Sequence, residues 1–406
     1  MDCAKLKTDI ERLREARGAF DVAVAEANDT GLGKIKCNDA MKQASELEDE
    51  ILQTYIEDAR RYNPELFQHF HYGERIDGIR GDILSTMKLS DNEVLVCGVI
   101  DYKRGEMRIL RKGEDDLWSY DGNSIGGFDN AIYSTLKLSD DEVLVCDYDG
   151  EMRILRKGED SSWNYGGEKI DGIRSTLKLS DSEVLVFGDD GETRILRKGE
   201  DGLWNYDSNS IDGFDGGTIY STLKLSDDEV LVCGDEDGRG KIRILRKGED
   251  GLWNYDSNSI DGFDGGTMYS TLKLSDDEVL VCGDDGETYI LRKGEDGLWG
   301  YDSNGIDGFS GNILSTLKFS DDEVLVCGGD GETRILRKGE DGFWNYDSNS
   351  IDGFDGYIYS TLRLSDNEVL VCGGDGKTRF LHIDSGIDLD KLKQKLPEIA
   401  AKKDEA

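Results

Sequence analysis

The chain alternates between short apolar segments and clusters of turn-forming polar residues. Between residues 222 and 255, four apolar segments follow one another: Thr222–Leu225, Glu229–Cys233, Lys241–Arg246 and Leu252–Tyr255. Runs rich in Ser, Asp, Gly and Lys separate them. Apolar residues at alternate positions between turn signals predict β-strands joined by tight hairpins. This stretch is therefore predicted to form one four-stranded antiparallel sheet.

The same unit occurs seven times. A Ser-Thr pair opens each copy, and successive pairs are 41 to 49 residues apart. The pairs begin at Ser85, Ser134, Ser175, Ser221, Ser270, Ser315 and Ser360. Four-stranded units at this period are typical of β-propellers, in which each blade packs against its neighbours. The predicted fold class is thus mainly β, a closed seven-bladed β-propeller of four-stranded antiparallel blades.

The seventh copy lacks a fourth strand, and the chain ahead of the first copy supplies one. After Lys377–Ile383 the repeat stops, whereas Gly73–Arg80 nearly duplicates Gly167–Arg174, the end of a complete copy. Pairing of residues 66–75 with residues 377–383 would complete the last blade. It would also remove the open edge between the first and last blades, because the two ends of the ring then share one sheet.

The residues before the ring follow a different pattern, with apolar positions at helical spacings of three, four and seven. The first such stripe consists of Leu6, Ile10, Leu13, Phe20 and Val24. A second stripe, from Ala40 to Tyr62, follows a break that contains Gly31. We predict an N-terminal α-helical hairpin over residues 1–65, the propeller over 66–383 and a short helical tail over 384–406. Packing of the hairpin on its own domain, homodimerisation through it and docking of a partner remain alternatives.

The charge balance restricts the possible partners. The chain carries 87 acidic and 49 basic residues, a net charge of −38, and its pI is about 4.4. Such a charge repels nucleic acids and anionic membranes, so we exclude both as partners. A basic protein partner is one interpretation, but a halophilic or merely very soluble protein has the same composition, so acidity alone does not define a binding site. The sequence contains no 18-residue apolar run and no basic-then-apolar leader, so a soluble, cytoplasmic protein is expected.

Most of the eight cysteines occupy one position of the repeat. They are Cys97, Cys146, Cys233, Cys282, Cys327 and Cys372, and Phe187 stands at this position in the third copy. A position that accepts both Cys and Phe is interpreted as a small buried apolar site and not as half of a disulfide. This interpretation fits a reducing compartment.

Parts of the repeat resemble known propeller families. The run Leu225–Gly234, followed by Asp-Gly and by Ile-Arg-Ile-Leu, is similar to the middle of a WD40 repeat, and Gly328-Gly329 resembles the Kelch pattern. The Gly-His pair of WD40 blades is absent, and Leu245-Arg246 stands in place of their Trp-Asp pair. The resemblance covers about residues 66–383. It implies a rigid platform for interactions with other proteins.

The loops between the strands carry the candidate partner-binding residues. Two copies have a longer loop after the second strand, at Val99–Gly105 and at Glu236–Gly240, and insertions on one face of a repeat protein often mark its binding face. Candidates there and in the acidic loops are Tyr102, Lys103, Arg104, Asp190, Asp237, Arg239 and Asp285. The alternatives are neutral drift and Asx-type turns at solvated loop tips. Weak Ca²⁺ loops are disfavoured, since the spacing of Asp256, Asn258 and Asp261 matches no known ligand pattern.

Two residue types recur at fixed positions of the strands. A basic residue near the end of the first strand predicts a ring of cations in the channel, formed by Lys88, Lys137, Lys178, Lys224, Lys273, Lys318 and Arg363. Such a ring would bind an anion, but pairing of each cation with a nearby Ser-Asp-Asp-Glu turn is favoured. The tryptophans at the fourth strand either line ligand pockets or pack between blades, and packing is favoured.

All three histidines fall in the blade that closes the ring. His69 and His71 lie on its predicted outer strand, and His382 lies on the neighbouring strand. The three side chains either form a Zn²⁺ site or simply pack against one another across the strands. No Ser/His/Asp or Cys/His constellation recurs, so we expect no enzyme and no cofactor. The predicted function is a non-catalytic protein-interaction scaffold that presents an acidic loop face. A small-ligand or glycan-binding (lectin-like) propeller is the alternative.

Overall fold

A computed structural model describes Arg12 and residues 68–385, with gaps at residues 101–102, 123, 171–174, 189–190, 208–209, 212, 215–216, 237–238, 257–259, 261–265, 302–304 and 340. Apart from Arg12, the predicted helical hairpin lies outside these residues, as does the tail beyond Ser385. Residues 71–382 belong to one compact unit. No helix in the described part of the chain is long and apolar enough to cross a membrane.

The described chain forms 28 strands in seven four-stranded sheets. The first strand, β1 (Gln68–Ile76), precedes the first complete blade. Blades 1 to 3 contain β2 (Ile83–Ser90), β3 (Glu93–Ile100), β4 (Arg104–Lys112), β5 (Trp118–Tyr120), β6 (Ile132–Lys137), β7 (Glu142–Asp147), β8 (Met152–Lys157), β9 (Trp163–Ile170), β10 (Ser175–Lys178), β11 (Glu183–Phe187), β12 (Thr193–Lys198) and β13 (Trp204–Tyr206).

Blades 4 to 7 follow the same plan. Their strands are β14 (Ile219–Lys224), β15 (Glu229–Glu236), β16 (Arg239–Lys247), β17 (Trp253–Tyr255), β18 (Met268–Lys273), β19 (Glu278–Gly283), β20 (Thr288–Lys293), β21 (Trp299–Tyr301), β22 (Ile313–Lys318), β23 (Glu323–Gly328), β24 (Thr333–Lys338), β25 (Trp344–Tyr346), β26 (Ile358–Ser365), β27 (Glu368–Gly373) and β28 (Thr378–Ser385). Single 3₁₀ turns at Asp284–Gly286, Gly329–Gly331 and Gly374–Gly376 join the second and third strands of blades 5 to 7.

In blades 1 to 6 the four strands of a sheet are neighbours in chain order, and we name them strands a to d. The a strands of successive blades contact one another in a circle, and β2 contacts β26, so the ring is closed. In blade 7, β1 is the outer strand and pairs with β28. The fold class predicted from the sequence is thereby confirmed. The predicted domain boundaries at residues 65/66 and 383/384 stay predictions.

The core lies between the blades, and strand b supplies most of it. In blade 4, Val230 and Val232 pack against blade 3, whereas Leu231 and Cys233 pack against blade 5. All four side chains are fully buried. A strand whose two faces are both covered needs an unbroken apolar run, which explains why Val-Leu-Val-Cys recurs in place of an alternating pattern.

The repeated cysteines are buried free thiols. They are Cys97, Cys146, Cys233, Cys282, Cys327 and Cys372. Burial raises the pKa of these thiols, to about 12 for Cys282, Cys327 and Cys372. Phe187, at the same position of blade 3, is fully buried as well. The interpretation of this position as a small apolar core site is confirmed.

The tryptophans of strand d pack across the seams between blades, as favoured from the sequence. Trp204, for example, joins a cluster with Leu144 and Cys146 of the preceding blade. Outer-strand tyrosines also reach across the seams: a tyrosine two residues after the tryptophan in blades 1, 4 and 6, and Tyr72 of β1 in blade 7, each place the hydroxyl against a threonine hydroxyl of the preceding blade. Such pairs are Tyr72–Thr333 (2.9 Å), Tyr120–Thr378 (2.7 Å), Tyr255–Thr193 (2.8 Å) and Tyr346–Thr288 (2.7 Å).

Charged residues bridge the same seams. Glu229 on strand b accepts Arg246 Nη1 of its own blade at 2.9 Å and Lys293 Nζ of the next blade at 2.8 Å. Lys293 also lies over the ring of Trp299, 5.7 Å from its centroid. At the inner strands, Ser221 Oγ lies 2.8 Å from Thr271 Oγ1 of the next blade. The polar contacts thus give each seam a fixed register.

Removal of β1 is expected to destabilise the ring far more than removal of the residues ahead of it. A protein without residues 1–76 loses the Tyr72–Thr333 contact and exposes the edge of β28. Loss of the Tyr72 ring alone costs about 3 kcal/mol, by analogy with large-to-small core substitutions. Thermal unfolding followed by circular dichroism measures the effect, with deletion of residues 1–65 as the control. Equal melting temperatures for the two truncations would contradict the role of β1 in closure.

Candidate interaction site at the channel mouth

The antiparallel order of the strands separates the connections of the ring into two faces. The b–c and d–a connections lie at one end of the strands, which we call the upper face. Backbone hydrogen bonds join them there, such as Asp235 N–H to Thr218 O at 2.9 Å and Tyr148 N–H to Ala131 O at 2.8 Å. The a–b and c–d connections lie at the other end, the lower face.

The predicted partner-binding residues that the structure describes lie on the upper face. Both lengthened loops form extended b–c hairpins, whose last pairs are Ile100 with Arg104 and Glu236 with Arg239. Exposed positions on these hairpins and in the acidic loop of blade 5 are Lys103, Arg104, Arg239 and Asp285. Tyr102, Asp190 and Asp237 lie outside the described residues. Binding by any of these residues stays a prediction.

The predicted ring of basic residues lies at the lower end of the inner strands, and each cation has partners. Lys273 Nζ donates to Leu225 O of the preceding blade at 2.7 Å and pairs with Asp276 at 2.8 Å. The same pair of contacts is made by Lys88, Lys137, Lys178, Lys224, Lys318 and Arg363. The hydrogen bond from Lys273 lowers the pKa of Asp276. The geometry therefore favours structural pairing over an anion site.

Two of the three histidines meet in blade 7. The rings of His71 and His382 are 5.2 Å apart, and His382 Nδ1 lies 3.9 Å from Glu368 Oε1. The side chain of His69 lies outside the described residues. Among those described, no group of three or more His, Cys, Asp or Glu side chains is arranged to hold a metal ion. The predicted zinc site thus depends on His69 and stays a prediction.

Exposed tyrosines surround the channel on the upper face, a feature that the repeat analysis did not single out. Tyr133, Tyr148, Tyr220 and Tyr357 are each between 39% and 49% exposed. Tyr133 and Tyr220 occupy register shifts in strand a, immediately before the Ser-Thr pair. Such a bulge turns a side chain out of the regular alternation of a strand. The sequence signal for Tyr133 and Tyr220 is the Tyr that directly precedes Ser-Thr in copies 2, 4, 5 and 7, whereas Tyr148 and Tyr357 occupy other positions.

Three of these tyrosines line a cavity of about 370 Å³. Tyr133 and Tyr148 stand on the blade 2 side with ring centroids 5.7 Å apart, and Tyr220 stands on the blade 4 side. Tyr220 is in turn supported by Tyr269 in an edge-on contact at 5.6 Å. The other lining residues are Ser134, Asp147, Ser175, Thr218 and Ile219. The cavity therefore combines aromatic walls with hydroxyl groups and one carboxylate.

Asp147 is a departure from the repeat. The equivalent residues in the other blades are Gly98, Gly188, Gly234, Gly283, Gly328 and Gly373. A Cβ at five of these glycines would lie 1.9 to 2.5 Å from a backbone carbonyl oxygen at the start of strand a, which is closer than contact allows. Tyr148 departs too, since Asp284 at its position in blade 5 accepts a hydrogen bond from Thr267 N–H at 2.8 Å. Alignment of the copies would have revealed both departures.

The carboxylate of Asp147 is buried and only partly satisfied. The residue is 1% exposed, and its Oδ1 accepts the Glu151 backbone N–H at 2.8 Å. Its Oδ2 is buried and has no hydrogen-bond partner among the described residues. Desolvation raises the pKa of this carboxyl group, helped by the nearby charges of Glu151 and Asp149. A buried charge without a full set of partners costs free energy of folding.

Replacement of Asp147 by the glycine of the other copies is expected to stabilise the protein. At pH 7 the gain should be about 1–3 kcal/mol, the usual cost of an unsatisfied buried polar group. Because the pKa is raised in the folded state, the cost of Asp147 is present in full above that pKa. It should diminish as the pH falls toward the ordinary Asp value of about 3.9.

Thermal melts of Asp147→Gly and the parent between pH 7 and 4 check this expectation. Asp330→Asn is the control, because Asp330 is exposed on the upper face of blade 6 and adopts a positive φ that Asn tolerates. An Asp147→Gly variant that melts below the parent at pH 7 would contradict the assigned cost.

The zinc hypothesis has a direct test. Added Zn²⁺ should raise the melting temperature above pH 7, where neutral imidazoles bind metal, if His69, His71 and His382 form a site. His69→Ala should then abolish the increase. A melting temperature that does not respond to Zn²⁺ would contradict the hypothesis and leave cross-strand packing of the two described rings.

Comparison with known proteins supports the fold. No protein-family model and no curated protein sequence matches the chain. Among solved structures, the crystal structure of the WD40 β-propeller domain of Doa1 is similar, with 14% identity and a TM-score of 0.59, over 78% of this chain and 97% of that one. The C-terminal WD40 domain of Sif2 matches with 14% identity and a TM-score of 0.53, over 77% and 99%. YCF48 bound to a D1 peptide matches with 14% identity and a TM-score of 0.55, over 77% and 95%. The chain therefore has a propeller fold similar to that of WD40 domains.

Proposed function

We propose that this protein is a non-catalytic interaction scaffold whose upper face binds a protein partner. The observation that carries the proposal is the group of exposed tyrosines around the channel mouth. A tyrosine offers a large apolar ring and a polar hydroxyl at low entropic cost, which is why the residue is enriched at protein interfaces. Single exposed apolar residues need no explanation, but several around one opening favour a binding surface.

The acidic character of the chain supports a basic partner. With a net charge of −38, the protein attracts cationic surfaces and repels anionic ones. On the lower face, some of the acidic side chains stabilise turns. Asp201, Asp250 and Asp296 each accept a hydrogen bond from a backbone N–H within a c–d turn. The upper face also carries the two extended b–c hairpins. A partner bound there would recognise the shape of these hairpins as well as the negative charge.

The similar structures are consistent with this role. WD40 propellers usually serve as platforms for protein interactions, and YCF48 is described in complex with a D1 peptide. Catalysis is disfavoured by the described thiols, which are fully buried with raised pKa values and so cannot act as nucleophiles at the surface. The cytoplasmic location and homodimerisation through residues 1–65 stay predictions.

The burial of the tryptophans between the blades argues against the lectin-like alternative. It relied on tryptophans that stack on sugars in pockets between blades, but Trp163, Trp204, Trp253, Trp299 and Trp344 are only 4% to 7% exposed. A ring buried to this extent has no free face for a ligand. A protein partner on the upper face therefore accounts better for the exposed aromatic side chains.

Substitution of upper-face tyrosines should reduce partner binding without unfolding the ring. Tyr220→Ser combined with Tyr357→Ser is expected to weaken retention of the partner roughly tenfold or more, as for interface hot spots. Affinity purification from cell extract at low and raised salt, followed by a binding titration, measures this. Raised salt should also weaken retention by the parent protein.

The matched control lies on the lower face, where Leu252 and Leu298 are 55% and 50% exposed in the c–d turns. Leu252→Ser with Leu298→Ser removes similar apolar area and should leave retention unchanged. Loss of the partner from this control, with retention by the tyrosine variant, would overturn the proposal for the upper face.

A further inference from the structure

We propose that the cavity between Tyr133, Tyr148 and Tyr220 binds an arginine side chain of the basic partner, with Asp147 as its ion-pair acceptor. The inference deepens the proposed function and rests on it. It assigns the point of specific recognition on the upper face and the chemistry of the group recognised there.

The carboxylate of Asp147 is the first feature that points to a bound cation. Asp147 Oδ1 accepts one backbone N–H, whereas Oδ2 has no hydrogen-bond partner in the described part of the chain. A buried carboxylate in this condition favours a cation, which would supply the missing hydrogen bond when rotation of the Asp147 side chain turns Oδ2 toward the cavity. Asp149 and Glu151 add negative charge two and four residues further along, so the electrostatic environment favours a cation and disfavours an anion.

The aromatic walls of the cavity also suit a guanidinium group. Aromatic faces attract cations, and a guanidinium group stacks on them while keeping its in-plane N–H groups free for a carboxylate. Tyr133 and Tyr148 are inclined by 44° at 5.7 Å and so form two sides of one enclosure, with Tyr220 across from them in the lining. Arginine is favoured over lysine because its guanidinium is more weakly hydrated and therefore cheaper to bury.

The departure of blade 2 from the repeat points the same way. Blade 2 carries Asp147-Tyr148 where blade 5 carries Gly283-Asp284. Relative to blade 5, blade 2 therefore has a crowded Cβ and a buried charge at a position where another backbone segment approaches closely. Blade 2 also lacks the equivalent of Asp284, the aspartate that in blade 5 accepts a hydrogen bond at the start of strand a. Costs of this kind concentrate where a protein binds something. Both changes line the same cavity, and one supplies charge while the other supplies an aromatic wall.

The size of the cavity fits the assignment. A volume of about 370 Å³ lies at the lower end of the range of ligand pockets, about 300–1,000 Å³. This space holds one long side chain with some of its flanking backbone, which is how an extended peptide would present an arginine. Ser134, Ser175 and Thr218 at the edge offer hydrogen-bonding groups for that backbone.

The test uses the full-length protein and three short Gly-Ser peptides that differ in one central residue: arginine, lysine or citrulline. Citrulline has nearly the shape of arginine but no charge. Isothermal titration calorimetry should show binding of the arginine peptide, weaker binding of the lysine peptide, and a loss of roughly tenfold or more with citrulline, as expected for a charged hydrogen bond. Equal affinity for arginine and citrulline, or no binding at millimolar peptide, would overturn the proposal.

The variants separate this site from general attraction to an acidic protein. Asp147→Gly should lose arginine binding roughly tenfold or more while remaining folded, since it restores the residue of the other blades. Asp330→Asn removes one charge from the same face and should bind as the parent does. Tyr148→Ser, which removes one aromatic wall without adding charge, should also weaken binding. If Asp147→Gly and Asp330→Asn lose affinity for the arginine peptide equally, the binding depends on net charge alone, which would overturn the proposed site.

Arg174 requires one further variant, because it directly precedes Ser175 in the sequence and lies outside the described residues. Unchanged or tighter arginine binding in Arg174→Ala is the expected result. Loss of binding would mean that Arg174 helps to build the site, and would overturn the assignment to Asp147 and the tyrosines. The native partner separates the two proposals. If Asp147→Gly retains the partner while the variant with Tyr220→Ser and Tyr357→Ser loses it, the arginine site is contradicted but the scaffold function is supported.

Discussion

The burial of strand b between neighbouring blades is the interaction on which the rest of the structure depends. Val230 and Leu231 are adjacent in the sequence but pack against different blades, so each sheet has two apolar faces to cover. No blade covers both faces by itself, and the units therefore stabilise one another around the ring. Closure of the circle is essential for the same reason, and β1 provides it by adding the outer strand to blade 7.

Polar contacts specify how the blades meet. At a typical seam, Glu229 binds Arg246 of its own blade and Lys293 of the next, and a tyrosine hydroxyl meets a threonine hydroxyl nearby. Arg246 and Lys293 are partly exposed, so each such ion pair contributes little, about 0–1 kcal/mol. The apolar core thus supplies most of the free energy, whereas the repeated polar contacts keep all seams in the same register.

Because seven copies share one set of contacts, departures from the repeat carry information that the repeat itself does not. In blade 7, His382 faces Glu368 where other blades have an arginine, and this difference accompanies the β1 strand that closes the ring. In blade 2, Asp147 places a carboxylate in the core beside a cavity. The first departure lies in the blade that closes the ring, and the second is costly to the fold, as expected of a recognition site.

From the sequence alone we could predict the number of blades, the four strands in each, the buried thiols and the contribution of β1. These features depend on local alternation and on a period, which a chain repeats in order. The three-dimensional fold was needed to show that Lys273 and its equivalents are held by neighbouring carbonyl groups, and that Tyr133, Tyr148 and Tyr220 line one cavity with Asp147. These groups come from different blades, and their meeting follows from the curvature of the ring and from bulges in strand a, which no local pattern encodes.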